Sequence, residues 1–340
     1  MWNSLRRLLS TKPAPAAAST AAAEAGPLRL EPTPPVAAAA AGSRPDEGPL
    51  NLRFSAWLLA LEPRDAGAPS AAEEQVLAHL AALSTAGRDA ALVPRLPAAL
   101  PRLLALVRRP DVSVRELAAH LSGDQAMVGE VVRLANSPRY RPSREIRSLE
   151  EAVQLLGQLG LEQLVSRVML SPVFSARQGR FGRGANARLW ELADRCAHGC
   201  AFLRQPHGDG FDAYLAGMAA QTGWLVSLRA LDRHYTAAAA PDSIPFHAGL
   251  AALSARLALR IAQNWDFPAP SIAALEVHAR QAQAAPDSLA YALLLADRNA
   301  KRQLLGLPPE PRRAIEEAES PAERSLIGEL YQLFGRTVAA

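Results

Sequence analysis

Only a few side chains in this chain have both the type and the spacing that chemistry requires. Cys196, His198 and Cys200 sit together in RCAHGC, a set that invites a tetrahedral zinc site. On a helix, residues four apart share a face, while a residue two positions on points elsewhere. The two thiols therefore read as small buried apolar groups, and His207 in QPHGDG does not complete a ligand set. Arg139, Arg141, Arg144 and Arg147 surround Tyr140 in PRYRPSREIR, where guanidinium forks and an aromatic ring would suit phosphates or bases. The plainer reading is a solvated loop opposed only by Glu145. Segment 114–137, VRELAAHLSGDQAMVGEVVRLANS, has helix-turn-helix form with Gly123 in the turn. Asp124 leads its second helix and Glu130 lies within it, charges that repel phosphate, while Met127, Val128, Val131 and Val132 have core spacing. The sequence holds no phosphate-binding glycine loop, nucleophile elbow or HExxH motif.

The elements that must position these groups are helical. Ala and Leu are abundant, aromatics are 5% of residues, and β-branched clusters are scarce, which favours an all-α fold. Residues 1–10 can form a short amphipathic helix through Trp2, Leu5, Leu8 and Leu9, and residues 12–49 are an Ala/Pro-rich stretch read as a disordered linker. Helical spacing begins at 50–61 and 71–83, an N-terminal hairpin, and resumes at 96–109. Capping boxes at Ser113 with Glu116 and at Ser148 with Glu151 open further helices, with one over Gln125–Asn136 between them and one continuing after Gly160. Later helices are predicted over 187–204, 211–231, 247–265, 269–283, 287–305 and 321–335.

With 49% apolar against 21% charged residues in 340, a sizeable core is available. The net charge of +4 is small for the length, and all but two of the 37 cations, Lys12 and Lys301, are arginine. The two cysteines form no disulfide framework, and no apolar run is long enough to span a membrane, so the expected compartment is the cytoplasm.

RLPAALPRLLALVRRPDVSVRELAAHLSGDQAMVGEVVRLANSPRY followed by IRSLEEAVQLLGQLGLEQLVSRVML, over 95–170, closely resembles the first part of an HDOD domain. The order continues through LAGMAAQTGWLVSL (215–228), IAQNWDFPAPSIAALEVH (261–278) and LLLADRNA (293–300). The resemblance implies a bacterial, two-lobed helical domain related to the HD phosphohydrolases. It divides the chain into a disordered tail and linker (1–49), a hairpin (50–92), an HDOD domain (93–300) and a C-terminal extension (301–340). In the wider superfamily, histidines and aspartates on facing helices hold metals that activate water. Carried over by position, the early histidine falls near Leu192 or Ala193, the His-Asp pair becomes Ala220 and Gln221, and the next histidine becomes Ser254. Only His278 and Asp297 keep ligand chemistry. Taken for themselves, His278 reads as a packed or capping residue and Asp297 as a partner for Arg298, Arg302 or Arg280.

The resulting expectation is a non-enzymatic signal-transduction or scaffold protein without cofactor or metal. It would bind a protein partner or small regulatory ligand in trans, in a pathway linked to cyclic dinucleotides. One alternative is a nucleic-acid-binding regulator using the Arg139–Arg147 loop and segment 114–137; another is a residual metal-dependent phosphohydrolase.

Overall fold

The computed structural model of the protein describes residues 50–64, 67–86, 116, 125–136, 144–174, 179–282, 284–285, 287–307 and 328–334. The expected tail and linker, the helix over 96–109 and the first half of the helix-turn-helix-like segment, except Glu116, lie outside the described residues. Ten α-helices are described: α1 (Leu50–Leu59), α2 (Ala71–Ala86), α3 (Gln125–Ala135), α4 (Leu149–Phe174), α5 (Gly182–Arg204), α6 (Gly210–Ala219), α7 (Thr222–His234), α8 (Ile244–Asn264), α9 (Ala269–Arg280) and α10 (Leu289–Leu304). Residues 328–334 are also helical. The described residues contain no strand, only an isolated bridge between Arg64 and Ser243, so the all-α reading holds.

α5 is the central element. Its Leu189, Leu192, Ala193, Cys196, Ala197 and Cys200 are all buried, and its small residues let neighbours approach closely. At Gly217 of α6 an added Cβ would lie 2.5 Å from the Ala197 Cα, so these two helices meet almost backbone to backbone. α1 and α2 are not a separate body: Phe54, Leu58, Val76 and Leu80 belong to the same core cluster as α5, α7, α8 and α10, as do Leu330 and Phe334.

Two helix breaks differ from expectation, and α5 begins at Gly182 rather than at 187. The predicted helix over 211–231 is two helices with a turn at Ala220 and Gln221, where the Thr222 hydroxyl donates to the Ala219 carbonyl (2.7 Å) and competes with helix continuation. The break in α4 falls at Gly157, whose φ of 65° and ψ of −173° suit glycine alone, rather than at Gly160.

Charged caps join distant elements. The Asp232 carboxylate, late in α7, accepts from the backbone N–H groups of Gly179 (2.8 Å), Phe181 (2.6 Å) and Gly182 (3.3 Å), and so caps α5, which has no side-chain cap of its own. Asp232→Ala is expected to lower stability by about 1–2 kcal/mol, read as a shift in the urea midpoint at unchanged slope. Glu73 serves two helices at once. It accepts from Ser70 N (2.7 Å), reciprocated by Glu73 N to Ser70 Oγ (3.3 Å), and from Ser243 N (3.0 Å) at the N-cap of α8. Burial pushes its carboxyl up, but these donors outweigh burial and leave it below the ordinary glutamate value.

Candidate functional site

Four elements converge on one buried carboxylate. α10 starts at Ser288, whose hydroxyl accepts from Tyr291 N (3.1 Å), and carries Asp297 and Lys301 one turn apart on its inner face. α9 ends at Gln281 in the left-handed conformation and brings His278 in its last turn. The turn between α6 and α7 supplies Gln221, and α1 supplies Asn51 and Phe54.

The Gln221 amide Nε2 donates to Asp297 Oδ1 (2.9 Å), and Lys301 Nζ donates to Asp297 Oδ2 (2.6 Å). His278 Nε2 lies 3.4 Å from the same Oδ2. Lys301 Nζ also donates to Asn51 Oδ1 (2.9 Å) and sits 5.5 Å from the centre of the Phe54 ring. Asp297 and Lys301 are each only 4% exposed. Burial pushes the Asp297 carboxyl up, but the Lys301 ammonium and the His278 ring more than offset this and hold it far below the usual carboxylate range. Gln221 Oε1 and His278 Nδ1 are buried and have no hydrogen-bond partner among the described residues.

The residues singled out by the HD pattern are thus only partly gathered. Gln221, His278 and Asp297 meet, and Ala220 is buried beside them. Ser254 is bonded elsewhere: its hydroxyl donates to the Leu250 carbonyl and accepts from Ser227 Oγ, both at 2.7 Å. Asp297 pairs with Lys301, because the i+4 position faces inward with it, whereas Arg298 at i+1 is exposed. His278 is packed, as expected, but against this carboxylate.

This cluster does not suit a metal. Among the described residues no three His, Cys, Asp or Glu side chains come together as a metal-holding group. Both Asp297 oxygens are engaged, and a divalent ion 4 Å from an ammonium would meet repulsion on the order of 8 kcal/mol at an effective dielectric of about 20. Cys196 and Cys200 are free and buried, and His198 Nδ1 lies 2.7 Å from the Asp194 carbonyl oxygen rather than turning to them. A hydrogen bond to Cys200 and burial push the Cys196 thiol well up, away from a ligating thiolate.

Of the arginine loop, Arg139, Tyr140 and Arg141 lie outside the described residues. Its base is closed by Asn136, which donates to the Ile146 carbonyl (2.7 Å) and accepts from Ile146 N (2.8 Å). Arg144 lies 3.4 Å from Glu151 and Arg147 3.2 Å from Glu145, exposed pairs of small energetic weight that spend part of the loop's cationic charge. The Ser148 box forms with one departure: Glu151 N donates to Ser148 Oγ (3.1 Å), but the glutamate accepts from Arg147 N (2.9 Å).

A second buried polar contact couples α1 to α8. His247 is fully buried and its Nδ1 shares a 2.9 Å hydrogen bond with Ser55 Oγ. Burial drives its pKa down, Glu73 and Asp242 draw it up, and it settles at about 4 against an ordinary 6.5. The native ring stays neutral while the unfolded chain takes up a proton below pH 6.5, so this stability is present above pH 6.5 and is lost as pH falls towards 4. Unfolding free energy is expected to fall by about 2 kcal/mol between pH 7 and pH 5. His247→Asn should flatten that slope in urea titrations; an equal slope in both proteins would refute the assignment.

Residues 93–281 match the HDOD domain family, and the chain belongs to it. An uncharacterized protein of Treponema pallidum (strain Nichols) is 26% identical over 196 residues, 55% of this chain and 37% of that relative, so the chain spans little more than a third of the relative's length. Two solved structures share the fold. One, from Shewanella amazonensis SB2B and provisionally named a metal-dependent phosphohydrolase, has a TM-score of 0.53 at 18% identity, covering 78% of this chain and all of that one. The other, from Marinobacter aquaeolei VT8 and provisionally named a signal transduction protein, has a TM-score of 0.51 at 20% identity, covering 79% of this chain and 63% of its own. No described helix is long and apolar enough to cross a membrane.

Proposed function

We propose that this chain is a regulatory HDOD protein that acts by binding a protein partner rather than by turnover. In this reading Lys301 is a covalently tethered cation at the carboxylate where a hydrolase of this superfamily would keep a metal. The observation that carries it is the full engagement of Asp297: an amide on one oxygen, an ammonium and an imidazole on the other. Ala220, Gln221 and Ser254 are read as positions where ligands have been exchanged for groups that pack or hydrogen-bond. The HDOD domain is taken to run over 93–300, with the hairpin 50–92 and the extension 301–340 as additions to it.

The name of the Marinobacter protein agrees with a signalling role, and that of the Shewanella protein points to the phosphohydrolase alternative. Elemental analysis after dialysis against Mn²⁺ and Zn²⁺, run beside a phosphodiester hydrolysis assay, separates the two. The expected result is substoichiometric metal and no turnover. One tightly held metal per chain, with turnover abolished in His278→Ala, would overturn the proposal.

A further inference from the structure

We infer that α1 is a releasable lid over the Asp297–Lys301 pair, latched by Lys301 itself; the inference rests on reading Lys301 as a tethered cation at the superfamily's former metal position. α1 precedes the residues matched by the family. It has ten residues, no acid in its first turn and no base in its last, so it has little helical stability of its own. Phe54, Ala56 and Leu58 bury its inner face in the core, and a set of polar and aromatic contacts adds to that. At its start Asn51 Oδ1 accepts from Lys301 Nζ (2.9 Å), and Phe54 presents its ring to the same ammonium. In its middle Ser55 meets His247, and Phe54 packs edge-on against Trp224 with ring centres 5.7 Å apart. At its end Arg188 Nη1 donates to the Trp57 and Leu58 carbonyls in the last turn.

The connection beyond α1 is built so that α1 can leave alone. Ala60 turns the chain in the left-handed conformation (φ 55°), which costs a non-glycine residue energy that opening would release. A few residues later the chain is pinned again: Arg64 N donates to the Asp242 carbonyl (2.7 Å), and Glu73 ties the start of α2 to Ser243. The hinge is therefore confined to residues 60–63, and α2 keeps its anchors while α1 swings out. A ten-residue helix beside a short hinge opens at lower free energy than the longer helices it packs on. With α1 out, the ammonium keeps Asp297 but loses Asn51 and the Phe54 ring, and a site otherwise 4% exposed at Lys301 meets solvent. Anything that binds there competes with α1, and its apparent affinity is scaled by the open fraction.

The chain has only two lysines, so amine acylation reads the lid directly. The full-length protein is treated with the N-hydroxysuccinimide ester of acetic acid, and acetylation of Lys301 is followed by peptide mass spectrometry, with Lys12 in the same molecule as the reagent control. Asn51→Leu is expected to speed Lys301 labelling about tenfold, the loss of one charge-assisted hydrogen bond. Asp232→Ala, which weakens the fold at α5 and leaves α1 untouched, should leave it within about twofold. In hydrogen exchange the amides of 50–59 should exchange faster than those of 289–304. Equal acceleration by the two variants, no acceleration by Asn51→Leu, or exchange of α1 in step with α10 would each overturn the lid. None of these readouts involves metal or turnover, so failure here is distinct from failure of the functional proposal.

Discussion

Lys301→Met is expected to lower the unfolding free energy by about 3–5 kcal/mol, because it removes the cation and leaves Asp297 charged, buried and short of its strongest partner. Methionine nearly matches the lysine stem in length, so the loss reports the charge and not a void. Asp297→Asn removes the orphaned charge in turn, and adding it to Lys301→Met should restore part of the loss. A double-mutant cycle in urea is then expected to give a coupling energy of about 1–3 kcal/mol. Strictly additive effects would show that the 2.6 Å contact contributes nothing beyond burial. The carboxyl is held low, so its stabilisation is present above the ordinary aspartate pKa and is lost as pH falls below it. The wild type should therefore lose stability below about pH 4 more steeply than Asp297→Asn does.

Gly223→Ala is expected to be at least as damaging, at about 4 kcal/mol or more. The added Cβ would fall 1.8 Å from the Ser254 carbonyl oxygen and 2.7 Å from Ala258 N, and both are backbone atoms that no rotamer change can move aside. α7 and α8 would have to part by more than an ångström, and the Ser227–Ser254 hydrogen bond would break with them. Loss of a cooperative thermal transition is the measurement to make. Gly184→Ala is the control. It lies in the first turn of α5 with no heavy atom within 4 Å of the added carbon, and alanine there should be neutral or should raise stability by up to about 1 kcal/mol.

How much of this was legible in the sequence depends on whether the cause of each feature is local. The helical class follows from composition and 3.6-residue spacing, and the helices over 50–59, 71–86 and 289–304 lie close to where that spacing puts them. The turn at Ala220 and Gln221 was not legible from spacing, because the Thr222 hydroxyl that breaks the helix there by bonding the Ala219 carbonyl could equally face outward from a continuous helix. SAAE at 70–73 is a capping box in plain sequence, although the third partner of Glu73 stands 170 residues away at Ser243 and leaves no local trace. The meeting of Gln221, His278 and Asp297 could be expected only through family resemblance. Lys301 needed no resemblance: an Asp and a Lys four apart on an otherwise apolar helix face are the mark of a buried pair. In sequence, Arg280, Arg298 and Arg302 are competing cations for the same carboxylate, although those at 280 and 298 are exposed in the fold.

The contact between Asn51 and Lys301 spans 250 positions of chain. During synthesis at about 5–20 residues per second, α1 emerges on the order of ten to fifty seconds before the residue that secures it. Over that interval Phe54 and Leu58 lack the partners that later bury them, and a ten-residue helix with no acidic first turn does not hold its shape unaided. The first described helix is therefore among the last to be fixed. Nascent chains halted before residue 301 should expose 50–59 to proteases and to chaperones that recognise extended apolar segments, and protection should appear only once α10 is complete.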